Sequence, residues 1–184
     1  MTKVKKMSKA RLEAFSDGVF SIVMTLLAIE LHPFDLQGWG DFLPFLPMFL
    51  LFILSFITTA IWWVNHHQLC LSIKTVDHSI LWLNTITLLF ITLIPFSTSL
   101  LGKNFGQSLA TAFYNLNMFL AGGVFYFLTV AVHGNLKKFG WQRYVGVICY
   151  GMGTLLAFLY QPLAYVVMLI PPIFYFIPRS ARMK

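Results

Sequence analysis

Charged residues divide this chain into long apolar runs. Charge-free stretches cover 42–73, 78–102, 104–136 and 144–178, and one more apolar run lies between Gly18 and Leu31. A helix needs roughly 20 apolar residues to cross the hydrocarbon of a bilayer. The first three stretches each fit one such helix with its flanks. The fourth is interrupted at Tyr160-Gln161-Pro162 and fits two short helices joined by a tight turn. The pattern therefore predicts an all-α integral membrane protein with six spans, at about 10–31, 43–73, 78–101, 107–133, 141–160 and 162–179. No internal repeat and no separate soluble domain is visible, so 1–184 reads as one six-helix domain. The longest link, 32–43, carries Pro33, Gly38 and Gly40.

Composition narrows the function class. The chain is 58% hydrophobic, 17% aromatic and only 10% charged, with mean hydropathy +0.76. A soluble domain carries about 25% charged residues. This chain has too little polar surface for a soluble enzyme, a disordered protein or a nucleic-acid-binding domain. The net charge of +7 then reports membrane orientation. With six spans, the five N-terminal basic residues, Lys74, Lys137, Lys138, Arg143, Arg179, Arg182 and Lys184 fall on one side, and only Lys103 lies opposite. The positive-inside rule places that side, with both termini, in the cytoplasm. The basic start could belong to a secretory leader, but Asp17 and Glu30 bracket the apolar run and no A-x-A site follows. Cys70 and Cys149 stand alone, with no paired spacing for a disulfide or a metal.

The first span, Arg11 to Leu31, departs from the plain Leu/Ile/Phe/Val of the others. At about 100° per residue, Arg11, Phe15, Gly18, Ile22, Thr25, Leu26 and Ile29 form one stripe. Asp17, Ser21, Met24 and Ala28 fall roughly on the opposite side, as a seam of small residues, with Ser16 beside them. Such a seam lets another helix approach closely. A carboxylate there needs a partner or water. The end of the second span, Trp62-Trp63-Val64-Asn65-His66-His67, supplies candidates, as does Asn84. We expect a buried polar knot of Arg11, Ser16, Asp17, Trp63, His66 or His67, and Asn84.

These residues carry a resemblance. Arg11-Leu-Glu-Ala-Phe15-Ser16-Asp17 matches RxxxFSD, and Trp63-Val-Asn-His-His67 matches the second-helix feature, of the endosomal/lysosomal potassium channel family (transmembrane protein 175 family). Asn84 and Pro95-Phe96-Ser97 look similar too, so the likeness covers the first three spans; the rest match only as generic spans. The resemblance implies six helices per repeat, a pore lined by the first helix and no re-entrant P-loop filter. A single RxxxFSD implies a prokaryotic single-repeat member, a homotetramer in the plasma membrane. By the same resemblance the constriction falls on Ile22, a hydroxyl layer on Thr25, and further pore-lining layers on Leu26 and Ile29. The expected partners are potassium ions, the bilayer and identical copies, with no cofactor and no resident metal.

Each site residue also has a plainer role. An Ile/Leu stripe can face lipid or a packed interior. Asp17 with His66 and His67 could couple protons in a secondary transporter, although the first span has no Pro and only Gly18 to break it. A membrane metalloenzyme would need more ligands than His66, His67, Asp77 and His78, and neighbouring histidines on a helix diverge by about 100°. Asp77 reads as an N-cap for the third span. Glu30 sits at the far end of the first helix, where it can attract cations or simply be solvated.

Overall fold

The computed structural model describes residues 7–32, 38, 40, 42–134, 141 and 144–177. Among them the regular structure is entirely helical: α1 (Lys9–Ile29), α2 (Phe42–Leu71), α3 (His78–Thr92), α4 (Ile94–Lys103), α5 (Ser108–His133), α6 (Val145–Leu159) and α7 (Gln161–Phe176). Lys3, Lys5, Lys6, Asp35, Asp41, Lys137, Lys138, Arg143, Arg179, Arg182 and Lys184 lie outside the described residues.

The expected third span is two helices in line, separated at Leu93. Pro95 is the cause. It has no N–H to give to the Ile91 carbonyl, and its ring crowds the preceding turn. The Leu93 N–H turns back to the Phe90 carbonyl at 3.3 Å, and Asn117 Nδ2 of α5 donates to that same carbonyl at 3.2 Å. Taken through the break, His78–Lys103 is long and apolar enough to cross a membrane, as are α1, α2 and α5, which makes four such helices among the described residues. The chain turns at Tyr160, and Pro162 opens α7 in the first turn, where a missing N–H does no harm. Helices α6 and α7 have 15 and 16 residues. At 1.5 Å rise per residue they run about 22–24 Å, against about 45 Å for α2.

Helix α5 holds the bundle together, lying against α3, α4, α6 and α7. Helix α1 packs on α2, α3 and α4 at one edge, and α6 and α7 form the opposite edge. Between α5 and α6 the approach is close. The Asn115 carboxamide of α5 occupies the place that a side chain at Gly153 of α6 would need, and Gly151 lies against the Phe119 ring. Small residues supply such contacts in a bilayer, where lipid is as apolar as leucine and hydrophobic burial favours no partner.

Several interior hydroxyls pair with one another. Thr98 Oγ1 donates to Ser55 Oγ at 2.8 Å, and the Ser55 and Tyr114 hydroxyls are 3.2 Å apart, which ties α2, α4 and α5 together. Asp77 caps α3, its carboxylate accepting from the Ile80 N–H at 2.8 Å.

A candidate pore-lining helix and its anchor

Helix α1 has three faces, roughly a third of a turn apart. The first is buried: Leu12, Ser16, Phe20, Val23 and Leu27 are 0–1% exposed and pack against α2, α3 and α4. The second is the apolar stripe. Phe15, Ile22, Leu26 and Ile29 are 53%, 60%, 39% and 69% exposed, and Arg11, Gly18 and Thr25 beside them are also exposed. The third is the small-residue seam. Asp17, Ser21 and Ala28 are exposed and Met24 is half-buried. The seam was expected roughly opposite the stripe and to admit another helix; it lies about a third of a turn away, and among the described residues no helix covers it. Residues spaced to cluster on a wheel share a face, but the wheel does not say which face the bundle buries.

The hydroxyls on the open faces turn back on the helix. Ser21 Oγ donates to the Asp17 carbonyl at 2.8 Å and Thr25 Oγ1 to the Ile22 carbonyl at 2.7 Å. Each oxygen keeps lone pairs free to accept from, or coordinate, whatever lies outside the helix.

The expected polar knot divides in two. Ser16, Asn84 and His66 meet in the interior, each at most 2% exposed. His66 Nε2 and Asn84 Oδ1 are 2.6 Å apart, and Asn84 Nδ2 donates to Ser16 Oγ at 3.1 Å. This set bridges α2, α3 and α1. Asp17 and Trp63 form a separate, exposed pair in which the indole N–H donates to Asp17 Oδ1 at 2.9 Å. The His67 ring stacks on Trp63, with centroids 5.9 Å apart. The reason for the division is angular. Ser16 and Asp17 are adjacent, as are His66 and His67, so about 100° separates each pair and one member must leave the interior. Arg11 joins neither group; its exposed guanidinium has no hydrogen bond or ion pair among the described residues.

Two anchoring residues lay outside the sequence-based set. Lys9 Nζ donates to the Leu71 carbonyl at the end of α2, at 3.1 Å, and lies 3.7 Å from Glu13 Oε1. Cys70 Sγ lies 3.6 Å from His66 Nδ1 in the interior. The signal for Cys70 was its four-residue spacing from His66, one helical turn on. No group of three or more His, Cys, Asp or Glu is placed to hold a metal ion among the described residues.

The open two-thirds of α1 thus mixes a row of large apolar side chains with a guanidinium, a carboxylate and hydroxyls. Hydrocarbon is a poor surround for the charged members. A face of this kind is served by water or by further protein.

The comparisons with known proteins point one way. The profile of the family described as endosomal/lysosomal potassium channel TMEM175 matches residues 11–95. A potassium channel of Chryseobacterium sp. (strain P1-3) is 33% identical over 172 residues, covering 86% of this chain and 87% of that protein. The human endosomal/lysosomal proton channel TMEM175 is 36% identical over 101 residues, covering 48% of this chain but 20% of that protein. Among solved structures, the crystal structure of a lysosomal potassium-selective channel TMEM175 homolog from Chamaesiphon minutus superposes with a TM-score of 0.82 at 27% identity, over 95% of this chain and 97% of that one.

Proposed function

Since this chain belongs to the TMEM175 family of endosomal/lysosomal potassium channels, a family of ion channels and not of enzymes, we propose that it is a multi-pass membrane cation channel that passes potassium through a narrow apolar neck made by α1. Six crossings, with α3 and α4 counted as one, form a single domain over residues 1–184. Four copies surround the pore in the plasma membrane, and both termini lie in the cytoplasm. The charge distribution supports that orientation, with twelve of thirteen basic residues on one side.

The observation that carries this reading is the exposure of α1. One face is buried to 1% or less, while Ile22 and Ile29 are 60% and 69% exposed at the edge of the bundle. Four Ile22 side chains facing one axis make a ring of methyl groups, and water leaves so narrow a neck readily. A cation that enters must shed part of its hydration. Potassium holds its water less tightly than sodium, so the neck favours potassium without a carbonyl cage. Thr25, three residues on, returns oxygen ligands, with Leu26 and Ile29 as further layers. The Ser16–Asn84–His66 bonds fix α1 to α2 and α3 at its N-terminal half, so the ring keeps its diameter. Asp17, bonded to Trp63 at the surface, serves the junction between subunits.

The test is bi-ionic reversal potential and unitary conductance of protein reconstituted in liposomes. Ile22→Asn replaces an apolar ring by four amides and leaves the subunit interior untouched. Each 1.4 kcal/mol removed from the barrier raises conductance about tenfold. We expect at least that gain, with weaker discrimination against sodium. Unchanged currents would place the neck elsewhere. Because the human relative is named a proton channel, the same liposomes are assayed for proton flux under a pH gradient.

A further inference from the structure

The interior bonds between α1, α2 and α3 form a chain with a direction. Ser16 Oγ donates to the Leu12 carbonyl of its own helix at 2.9 Å. Its one proton is therefore used, and it accepts from Asn84 Nδ2 at 3.1 Å. That contact turns the Asn84 carbonyl oxygen toward His66, 2.6 Å from Nε2. An amide oxygen only accepts, so Nε2 carries the imidazole proton and Nδ1 is a bare acceptor. His66 is 2% exposed and Ser16 and Asn84 no more than 1%, so no bulk water reaches the chain. Among the described residues, the one polar group facing Nδ1 is Cys70 Sγ, at 3.6 Å.

We propose that Cys70 is a positioning residue whose S–H donates to His66 Nδ1 and so sets the direction of every bond that follows, through Asn84 to Ser16 on α1. The alternative direction needs the Asn84 amide turned over by 180°, so that its Oδ1 faces Ser16 and its Nδ2 faces His66. Ser16 would donate to Asn84, Asn84 to Nε2, and Nδ1–H would point at sulfur, a weak acceptor. That reversal takes the Ser16 hydroxyl away from the Leu12 carbonyl. The thiol terminus thus decides whether the α1 backbone keeps its extra bond, at a residue that touches neither the stripe nor the seam. The role is independent of which cation passes the pore.

Two spectroscopic readouts test it on the full chain in lipid. In a Cys149→Ala background the remaining S–H stretching band belongs to Cys70, and it is expected at the lowered frequency of a thiol bonded to nitrogen. ¹⁵N solid-state NMR of labelled histidine is expected to show His66 protonated on Nε2, with Nδ1 shifted by a hydrogen bond. Cys70→Ala should shift Nδ1 to its unbonded position and bring up an Nδ1–H population; Cys70→Ser should restore the single pattern. A free-thiol frequency, a wild-type His66 protonated on Nδ1, or a Cys70→Ala spectrum identical to wild type would each overturn the proposal. The wild-type measurements decide alone should Cys70→Ala fail to fold.

Discussion

Removing the central member of the buried chain gives the sharpest thermodynamic test of how α1 is held. Asn84→Ala leaves the His66 Nε2–H without an acceptor at 2% exposure. An unpaired buried donor costs about 1–3 kcal/mol, and the space left by the lost amide adds about 1. Ser16→Ala leaves the Asn84 amide unpaired and costs about 1–3 kcal/mol. In the double variant no orphaned Asn84 amide remains, so it should be little worse than Asn84→Ala. A bilayer moderates the effect, because chains unfolded in the membrane find other polar partners and coupling between membrane helices averages about 0.6 kcal/mol. We expect coupling of about 1 kcal/mol, near the upper part of that range, because both bonds are shut off from water. The assay is reversible unfolding in bicelles for wild type, both single variants and the double. Additivity within about 0.3 kcal/mol would refute the reasoning. Asp17→Ala is the control for subunit stability. Its bond to Trp63 is exposed, and we expect a loss below about 1 kcal/mol. Its larger effect should fall on assembly, read by native mass spectrometry.

Three further outcomes follow from single contacts. Ile22→Asn should raise unitary conductance about tenfold or more while leaving the unfolding midpoint of the subunit unchanged. Asp77→Ala removes the cap of α3 and should lower subunit stability by about 1 kcal/mol, with Asp77→Ser recovering most of it in the same unfolding assay. Gly153→Ala drives a methyl group into the Asn115 carboxamide and should cost about 1–3 kcal/mol, whereas Gly123→Ala, where the added carbon meets nothing within 4 Å, should be tolerated.

The four long apolar helices were legible because charge cannot enter hydrocarbon, a rule that acts on composition and needs no tertiary contact. The break at Leu93 was not read from the sequence, which took 78–101 as one span: Pro95 stands inside it, but the rescue of the Phe90 carbonyl by Asn117 depends on a helix that comes later in the chain. For the stripe, helical spacing was enough to group Ile22, Thr25, Leu26 and Ile29, since spacing alone puts residues on one face. It was not enough to separate Ser16 from Asp17, or His66 from His67. Both pairs are adjacent and polar, and only the packing of α3 against α1 and α2 decides which member is enclosed. Cys70 was set aside as standing alone because a sulfur among apolar residues looks like packing until the bonding needs of its neighbour are counted.

The unequal helix lengths have a consequence for the surrounding lipid. If α6 and α7 cross as proposed, one flank offers only about 22–24 Å of helix to a hydrocarbon layer about 30 Å thick, so acyl chains there must shorten or splay. The long α2 must tilt or protrude. Such a particle deforms its bilayer unequally around its rim, at fractions of a kcal/mol per Å of misfit. Any change in helix tilt alters that misfit, so acyl-chain length becomes a load on the conformational equilibrium.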